Sequence, residues 1–536
     1  VARAIVPERE SMADTLSRAM RFAAILALAL TAFATATFWR FGFGARISAD
    51  AAVPLLLARH VLETGSLLPP DWVYLNGDLW IAGPQLLALP FVAAFGATPL
   101  ALACANLVGL VAIFASAFAL ARAAGVNAST SVLAATPVVA LSSHFQREFV
   151  VEQLSYGWMS AKLMLIVALA LVLLRDDAAL RVSRTRLAGF AYVALLGLWT
   201  AENPVRALIY VVLPLAAALA LAWKALDTRR IVVVSLQTFA AVTVGALVHR
   251  VLLGDVTMST GLESFKAAPL AEWRAHVATL VDGLRHLIGI DALGDPPLLL
   301  AQPMLSVVRA GAFALLIVLA VRRATDRATE TGRIPLRIGV IGFVAVAAVL
   351  IVGSALVSPY SDRYLMPSWH LALVGVVVAS SGRARIVVIA LVGAFVLGGV
   401  LNAIGIARSP SKDAVDLPHP PNVDALVASL VRDGPSVGFA THRFANVINL
   451  RSGSRIEPCD IAFAPHFRAA PYLAPRRCID PARYAQGFFV VLAPEESDDA
   501  TKLRAAVGEP ASIETAGGYA IWRYRAGEAK LDWLSR

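Results

Sequence analysis

About eleven apolar stretches near the ~20 residues needed to cross a bilayer follow one another along this chain, at 22–39, 99–121, 128–143, 154–174, 186–201, 205–223, 231–252, 303–321, 336–357, 364–380 and 385–405. No water-soluble fold accommodates that pattern. Charged residues make up only 16% of the 536 positions, against ~25% in an ordinary globular chain, while 58% are hydrophobic, so too little polar surface exists to cover a soluble core. The expected fold class is mostly α: a polytopic membrane helix bundle of about eleven spans, with amphipathic juxtamembrane helices and a small C-terminal α/β domain.

The net charge of +10 would suggest nucleic acid in a soluble protein. Here the arginines sit mostly in short gaps between apolar runs, which is a topology signal, so no nucleic-acid partner is expected. With the N-terminus inside, Arg122, Arg175, Arg181, Arg230, Arg322, Arg337 and Arg385 all fall in inside loops. The opposite loops are longer yet hold fewer basic residues, among them Arg46, Arg59, Arg147, Arg206 and Arg363. This balance requires that the apolar piece 83–95, which is too short to span and contains Pro84 and Pro90, does not cross. It reads as juxtamembrane or re-entrant. Ala34 and Ala36 also fit a cleaved signal peptide, but bulky Trp39 and Phe41 argue against one. The expected location is a bacterial inner (plasma) membrane, multi-pass, with a cytoplasmic N-terminus and a periplasmic C-terminal domain.

The expected domains are 1–407 in the membrane, a Pro- and charge-rich linker at 408–421, and a periplasmic α/β domain at 422–536. In the last, helical patterns at 423–431, 443–451 and 498–507 alternate with strand patterns at 436–440, 455–458, 487–492 and 519–524. Cys459 and Cys478 both fall there. An oxidising compartment permits a bridge, and two buried thiols fit equally. The outside loops at about 40–98 and 253–302 are long and apolar-periodic, which suggests helices lying on the membrane surface, and long structured loops usually carry function.

Several motif matches carry no chemistry. The run Gly434, Pro435, Ser436, Val437, Gly438 fits G-x-S-x-G but precedes a strand, the reverse of a nucleophile elbow. Ser409 to Lys412 fits S-x-x-K without its companion motifs. No P-loop or dinucleotide fingerprint occurs, and no D-x-D pair that would hold a metal–nucleotide-sugar complex. Any transferred group must arrive on another carrier.

What remains is a set of polar residues near the outer membrane face. Asp50 stands where the chain leaves the first span; it fits a helix N-cap, a catalytic base, or both, since a helix start fixes the direction of a carboxylate. Glu148 and Glu152 follow the third span. Glu202 lies near membrane depth, where an acidic group costs roughly 2.5–3.5 kcal/mol at the centre and is seldom kept without a partner or a task; an ion pair with Arg206 is the structural alternative. Arg363, in the segment 358–367, has a fork of donors suited to a phosphate, or else snorkels to the interface. His249, Arg250, His276, Arg285 and His286 show no metal-ligand spacing, so no metal residues are assigned and a divalent metal is unsupported.

The order of these features resembles the GT-C superfamily of polyprenyl-phosphate-sugar-dependent glycosyltransferases, with lipid A aminoarabinose transferase and protein O-mannosyltransferase as the nearest architectures. The resemblance is carried by Asp50 on the first outside loop, by the helix ending Ala58, Arg59, His60, Val61, Leu62, Glu63, Thr64, Gly65, by Leu68-Pro69-Pro70, by Gly83 to Leu86, and by Phe95-Gly96 before the second span. It covers the order of spans and loops through about residue 405 and the outside tail. It implies a lipid-linked sugar donor as substrate and no cofactor, a catalytic aspartate at Asp50 with Glu202 and Glu152 as further acidic candidates, and a donor-phosphate contact from Arg363, with Arg206, Arg59 or Arg250 as substitutes. The sequence departs from the family at Ala51, where a second acidic residue is common, and at Gly83, where a basic residue or His often precedes the Pro. Implied partners are a polyprenyl-phosphate sugar, membrane lipids, and a glycan, lipid or protein acceptor, as in lipopolysaccharide or another part of the cell envelope. The competing reading is a transporter or flippase for lipid-linked or polar solutes, which requires buried charges along a pathway.

Overall fold

The structure, a computed structural model, describes residues 6–43, 47–143, 146–175, 182–259, 267–289, 309–312, 331–353, 359–380, 382–408, 422–433, 435–463 and 467–535, with scattered positions between 314 and 322. The expected linker at 409–421, Arg46, Arg181 and most of the span at 303–321 lie outside these residues. Seven described helices are long and apolar enough to cross a membrane: Ser17–Phe41, Pro99–Ala123, Ser155–Leu174, Pro204–Ala222, Thr228–Leu253, Ile334–Val352 and Arg385–Arg408. The protein is thus a multi-pass, mostly helical membrane protein.

Three expected spans take another form. The stretch at 186–201 lies within the helix Val182–Glu202, and that at 364–380 shortens to Met366–Ala379, 14 residues long. The stretch at 128–143 is not one helix. Asn127 caps Ala128–Ala135 by accepting the Thr130 N–H at 2.9 Å, the chain tightens at Thr136–Val138 where Pro137 has no N–H to give, and Leu141 turns to φ 53°. A π-helical turn, Gln146–Glu152, follows with every residue buried. Irregular backbone of this kind is tolerated at membrane depth where protein encloses it.

The chain folds into two compact units. One comprises Val1–Gly42, Gly109–Ala246 and Phe265–Pro410. The helices Ile334–Val352 and Met366–Ala379 cross closely, so that a Cβ on Gly339 would stand 2.5 Å from the Ala372 nitrogen and one on Gly375 2.5 Å from the Leu336 Cα. Small residues let membrane helices approach this closely.

The other unit comprises Phe43–Val108, Leu247–Ser264 and Ser411–Arg536. Its helices are α1 (Ala49–Thr64) and α2 (Gln85–Phe95), and two loop segments pair as parallel strands β1 (Val73–Leu75) and β2 (Thr257–Ser259). At 11 residues, α2 is too short to span. Eleven of the 16 residues of α1 are buried, so this apolar helix packs into protein over most of its surface.

The C-terminal part supplies a six-stranded sheet of order β5-β4-β3-β6-β8-β7 from β3 (Val437–Thr441), β4 (Glu457–Ala462), β5 (Arg468–Ala469), β6 (Phe488–Leu492), β7 (Ser512–Ala516) and β8 (Tyr519–Tyr524). Strands β4, β3 and β6 are parallel and the others antiparallel. Helices α3 (Val423–Asp433) and α4 (His442–Arg451) cover one face through Leu426, Leu430, Phe444 and Ile448, together with Ala49 of α1. The other face is closed by Cys478, Tyr484, Leu503 of α5 (Ala500–Val507) and Trp533. Cys459 and Cys478 are bonded to each other, with Cα atoms 5.3 Å apart, which resolves the alternative left open by the sequence.

Candidate active site

The connection from β3 to β4 runs through α4 on one face, whereas that from β4 to β6 passes Cys478 and Tyr484 on the other. The chain therefore reverses direction across the sheet at the carboxyl ends of β3 and β6, the position where open α/β sheets form a crevice. His442, the first residue of α4, stands there. Its Nδ1 donates to Asp460 Oδ2 at 2.8 Å and its Nε2 to Asp50 Oδ1 at 3.3 Å. Burial opposes a charge on this ring, but Asp460 and Asp50 on its two sides hold the imidazolium well above the usual histidine range. Both ring nitrogens are then donors.

Each member is fixed by local chemistry. Ser48, not Asp50, is the N-cap of α1: it accepts the Ala51 N–H at 3.3 Å, and Asp50 sits one residue inside the first turn. That corrects the capping alternative, because the capping position is already filled and the Asp50 carboxylate, 45% exposed, is directed elsewhere. The Asp460 side chain is 1% exposed. It accepts the Tyr472 N–H at 3.3 Å, and the Tyr472 ring stands edge-on to His442 at 6.0 Å. The bridge from Cys459 to Cys478 closes the loop that carries Tyr472, next to Asp460 in sequence.

Arg59 lies nine residues beyond Asp50 on α1, hence on the opposite face and about 13 Å along the axis. It pairs with Glu63 at 2.7 Å and with Glu457 at 3.2 Å, and Glu457 also meets Arg483 at 2.7 Å. His60 and Asp71 bond at 2.8 Å beside them. Burial alone would raise the Glu63 carboxyl, but Arg59, Arg477 and His60 hold it below its usual range. Arg59, His60, Glu63, Glu457, Arg477 and Arg483 line a recess of about 490 Å3 including its mouth. With two carboxylates on its guanidinium, Arg59 is committed to this network. Arg250 is exposed in the last turn of the helix Thr228–Leu253.

The remaining candidates lie in the first unit. Arg363 Nε donates to the Tyr156 hydroxyl at 3.0 Å, and its guanidinium lies 5.6, 5.8 and 5.6 Å from the rings of Phe149, Tyr156 and Tyr364. Aromatic faces attract such a cation without neutralising it. Adjacent Asp362 is fully buried, with neither carboxylate oxygen hydrogen-bonded among the described residues; burial, offset by His286 and reinforced by Asp282, pushes its pKa up to about 8, so it does not cancel Arg363 at neutral pH. Arg206 reaches the same first turn of Ser155–Leu174, with Nη1 3.5 Å from Met159 Sδ. Glu202 accepts a hydrogen bond from Lys162, both 9% exposed, and the Lys162 ammonium lies 5.5 Å from the Trp199 ring. Glu152 is buried 3.5 Å from Arg147. Asp50 and Arg59 thus belong to one unit, and Arg206, Arg363, Glu152 and Glu202 to the other. Among the described residues no three His, Cys, Asp or Glu side chains are grouped to hold a metal ion.

Sequence reasoning passed over His442, Asp460, Tyr472 and the aromatic residues around Arg363. One local signal existed for His442: it follows directly on a strand pattern and opens a helix, which is where α/β domains place functional side chains. Nothing local marks Asp460.

No protein-family model and no curated protein matches this sequence. Solved structures do: ArnT from Cupriavidus metallidurans bound to undecaprenyl phosphate, and the same protein in the apo state, each with a TM-score of 0.53 at 12% identity over 94% of this chain and 98% of theirs. The chain shares that polytopic fold over nearly its whole length.

Proposed function

We propose that the protein is an inverting membrane glycosyltransferase of GT-C type that transfers a sugar from a polyprenyl-phosphate donor to an envelope glycan, lipid or protein at the periplasmic face of the inner membrane. The observation that carries this reading is the fold shared with ArnT over nearly the whole chain, one of those structures being bound to undecaprenyl phosphate. Asp50, a half-exposed carboxylate held at a helix start, has the chemistry of the base. The acceptor hydroxyl gives its proton to Asp50, its oxygen bonds to the anomeric carbon, and the bond from that carbon to the phosphate oxygen breaks with inversion. The leaving polyprenyl phosphate has a second pKa of ~6, so no general acid is needed. Its charge grows as it departs, and a guanidinium such as that of Arg363, set against the rings of Phe149, Tyr156 and Tyr364, has the chemistry to offset it.

Transfer from a labelled polyprenyl-phosphate sugar in membranes tests this. Arg363→Ala removes a charge-assisted contact of about 1.5–3 kcal/mol, equivalent to a KM for donor raised about 10- to 100-fold. An unchanged KM would remove Arg363 from the donor site. Transport is the second reading, and the buried pairs Arg147–Glu152 and Lys162–Glu202 are what it draws on. Solute uptake into vesicles without glycosylated product would favour it.

A further inference from the structure

We infer that His442, held by Asp460 in the C-terminal sheet, is a positioning residue for Asp50, so that the α/β tail completes the catalytic base. This rests on the reading of Asp50 as base. Three observations carry it. At the carboxyl ends of β3 and β6, where an α/β sheet usually takes a ligand, His442 meets Asp50 in the first turn of α1. Asp460 is a buried carboxylate whose Oδ1 has no partner among the described residues and whose Oδ2 has only His442 and the Tyr472 N–H. A buried anion so sparsely bonded needs a cation, which fixes His442 in its doubly protonated form with Nε2–H aimed at Asp50. The contact spans 392 positions of sequence, so it is built by tertiary folding and by no local turn.

Among the described residues, these groups face His442 or lie on the elements packed beside it. Asp50 comes from α1, Asp460 from β4 and Tyr472 from the bridged loop. At the turn Pro494–Asp499, Glu496 is occupied by Thr441 at 2.7 Å and Glu495 by Arg443 at 2.9 Å. From α3, Asp424 is occupied by Arg451 at 2.7 Å. The ring therefore answers chiefly to its two aspartates. It holds one oxygen of Asp50 and so sets the direction in which that carboxylate meets the acceptor proton. The sign of the linkage is set by the raised histidine pKa: the bridge is complete below the unfolded value of about 6.5 and is lost as pH rises through the folded one.

The test uses the full-length protein in membranes, with transfer from a labelled polyprenyl-phosphate sugar followed across pH. His442→Gln should lower kcat about 100-fold and leave the donor KM within about twofold. The alkaline limb of the wild type, set by the raised pKa of His442, should disappear. Asp460→Asn should move the alkaline limb to lower pH, because Asp460 is the larger support of the charged ring. His442→Lys, which keeps a cation beside Asp50, should recover part of the rate. Profiles of His442→Gln and Asp460→Asn that superimpose on the wild type overturn the inference. So does a wild-type rate that stays flat across the alkaline range, a measurement that needs no variant to fold. Asp50→Asn run in parallel separates the two levels: if it is fully active the base assignment itself fails, and if it is dead while His442→Gln behaves as wild type only the role of His442 fails.

Discussion

Asp50→Asn is expected to lower sugar transfer by about 10²- to 10⁴-fold, the range that a positioned base contributes, with the donor still bound. The amide matches the carboxylate in size and can keep the contact to His442 Nε2 through its oxygen, but it cannot take a proton from an acceptor hydroxyl. Because Ser48 is the cap of α1, the helix start survives the substitution. The cost in stability should stay near the 0.3–1 kcal/mol of a first-turn charge interacting with a helix dipole. Single-turnover transfer, equilibrium binding of the labelled lipid and thermal melting together check the claim. Activity within a few-fold of wild type would refute the base.

The second large effect is on stability. Glu202→Ala leaves the Lys162 ammonium buried against Trp199 without that carboxylate, and breaking a buried pair from one side costs about 3–5 kcal/mol. The paired replacement Lys162→Met with Glu202→Leu removes both charges and should restore most of that loss, since apolar substitutes for a buried pair are often neutral or better. Thermal unfolding in detergent reads both. If the double variant is stable but inactive in transfer, the pair works in the reaction; if it is stable and active, the pair is structural. Equal destabilisation in the single and double variants would show that the two side chains do not compensate each other.

The membrane helices were legible because their signal is length and apolarity, which needs no knowledge of the partners. Strand β6 was legible for the same reason, as a continuous apolar run buried at all five positions. Strand β7 was not: Ser512–Ala516 is an edge strand whose sequence carries only Ile513 as a large apolar residue, and that residue is exposed. Asp50 could be singled out from its place at a helix start. The rest of its surroundings could not, because His442 and Asp460 reach it from far along the chain. Glu202 was flagged by the cost of an acid at depth, but nothing local joins it to its partner Lys162, forty residues earlier. The break in the stretch at 128–143 was hidden by an apolar composition that suits a buried irregular segment as well as a span.

During synthesis Asp50 waits for a histidine made 392 residues later. At ribosomal rates of about 5–20 residues per second, that delay is roughly 20–80 seconds. Throughout it the growing chain threads its spans while the carboxylate lacks the ring that directs it. If Asp50 is the base that His442 directs, competence arrives only once the sheet has been made, and chains released before it, however well inserted, are expected to be born inert.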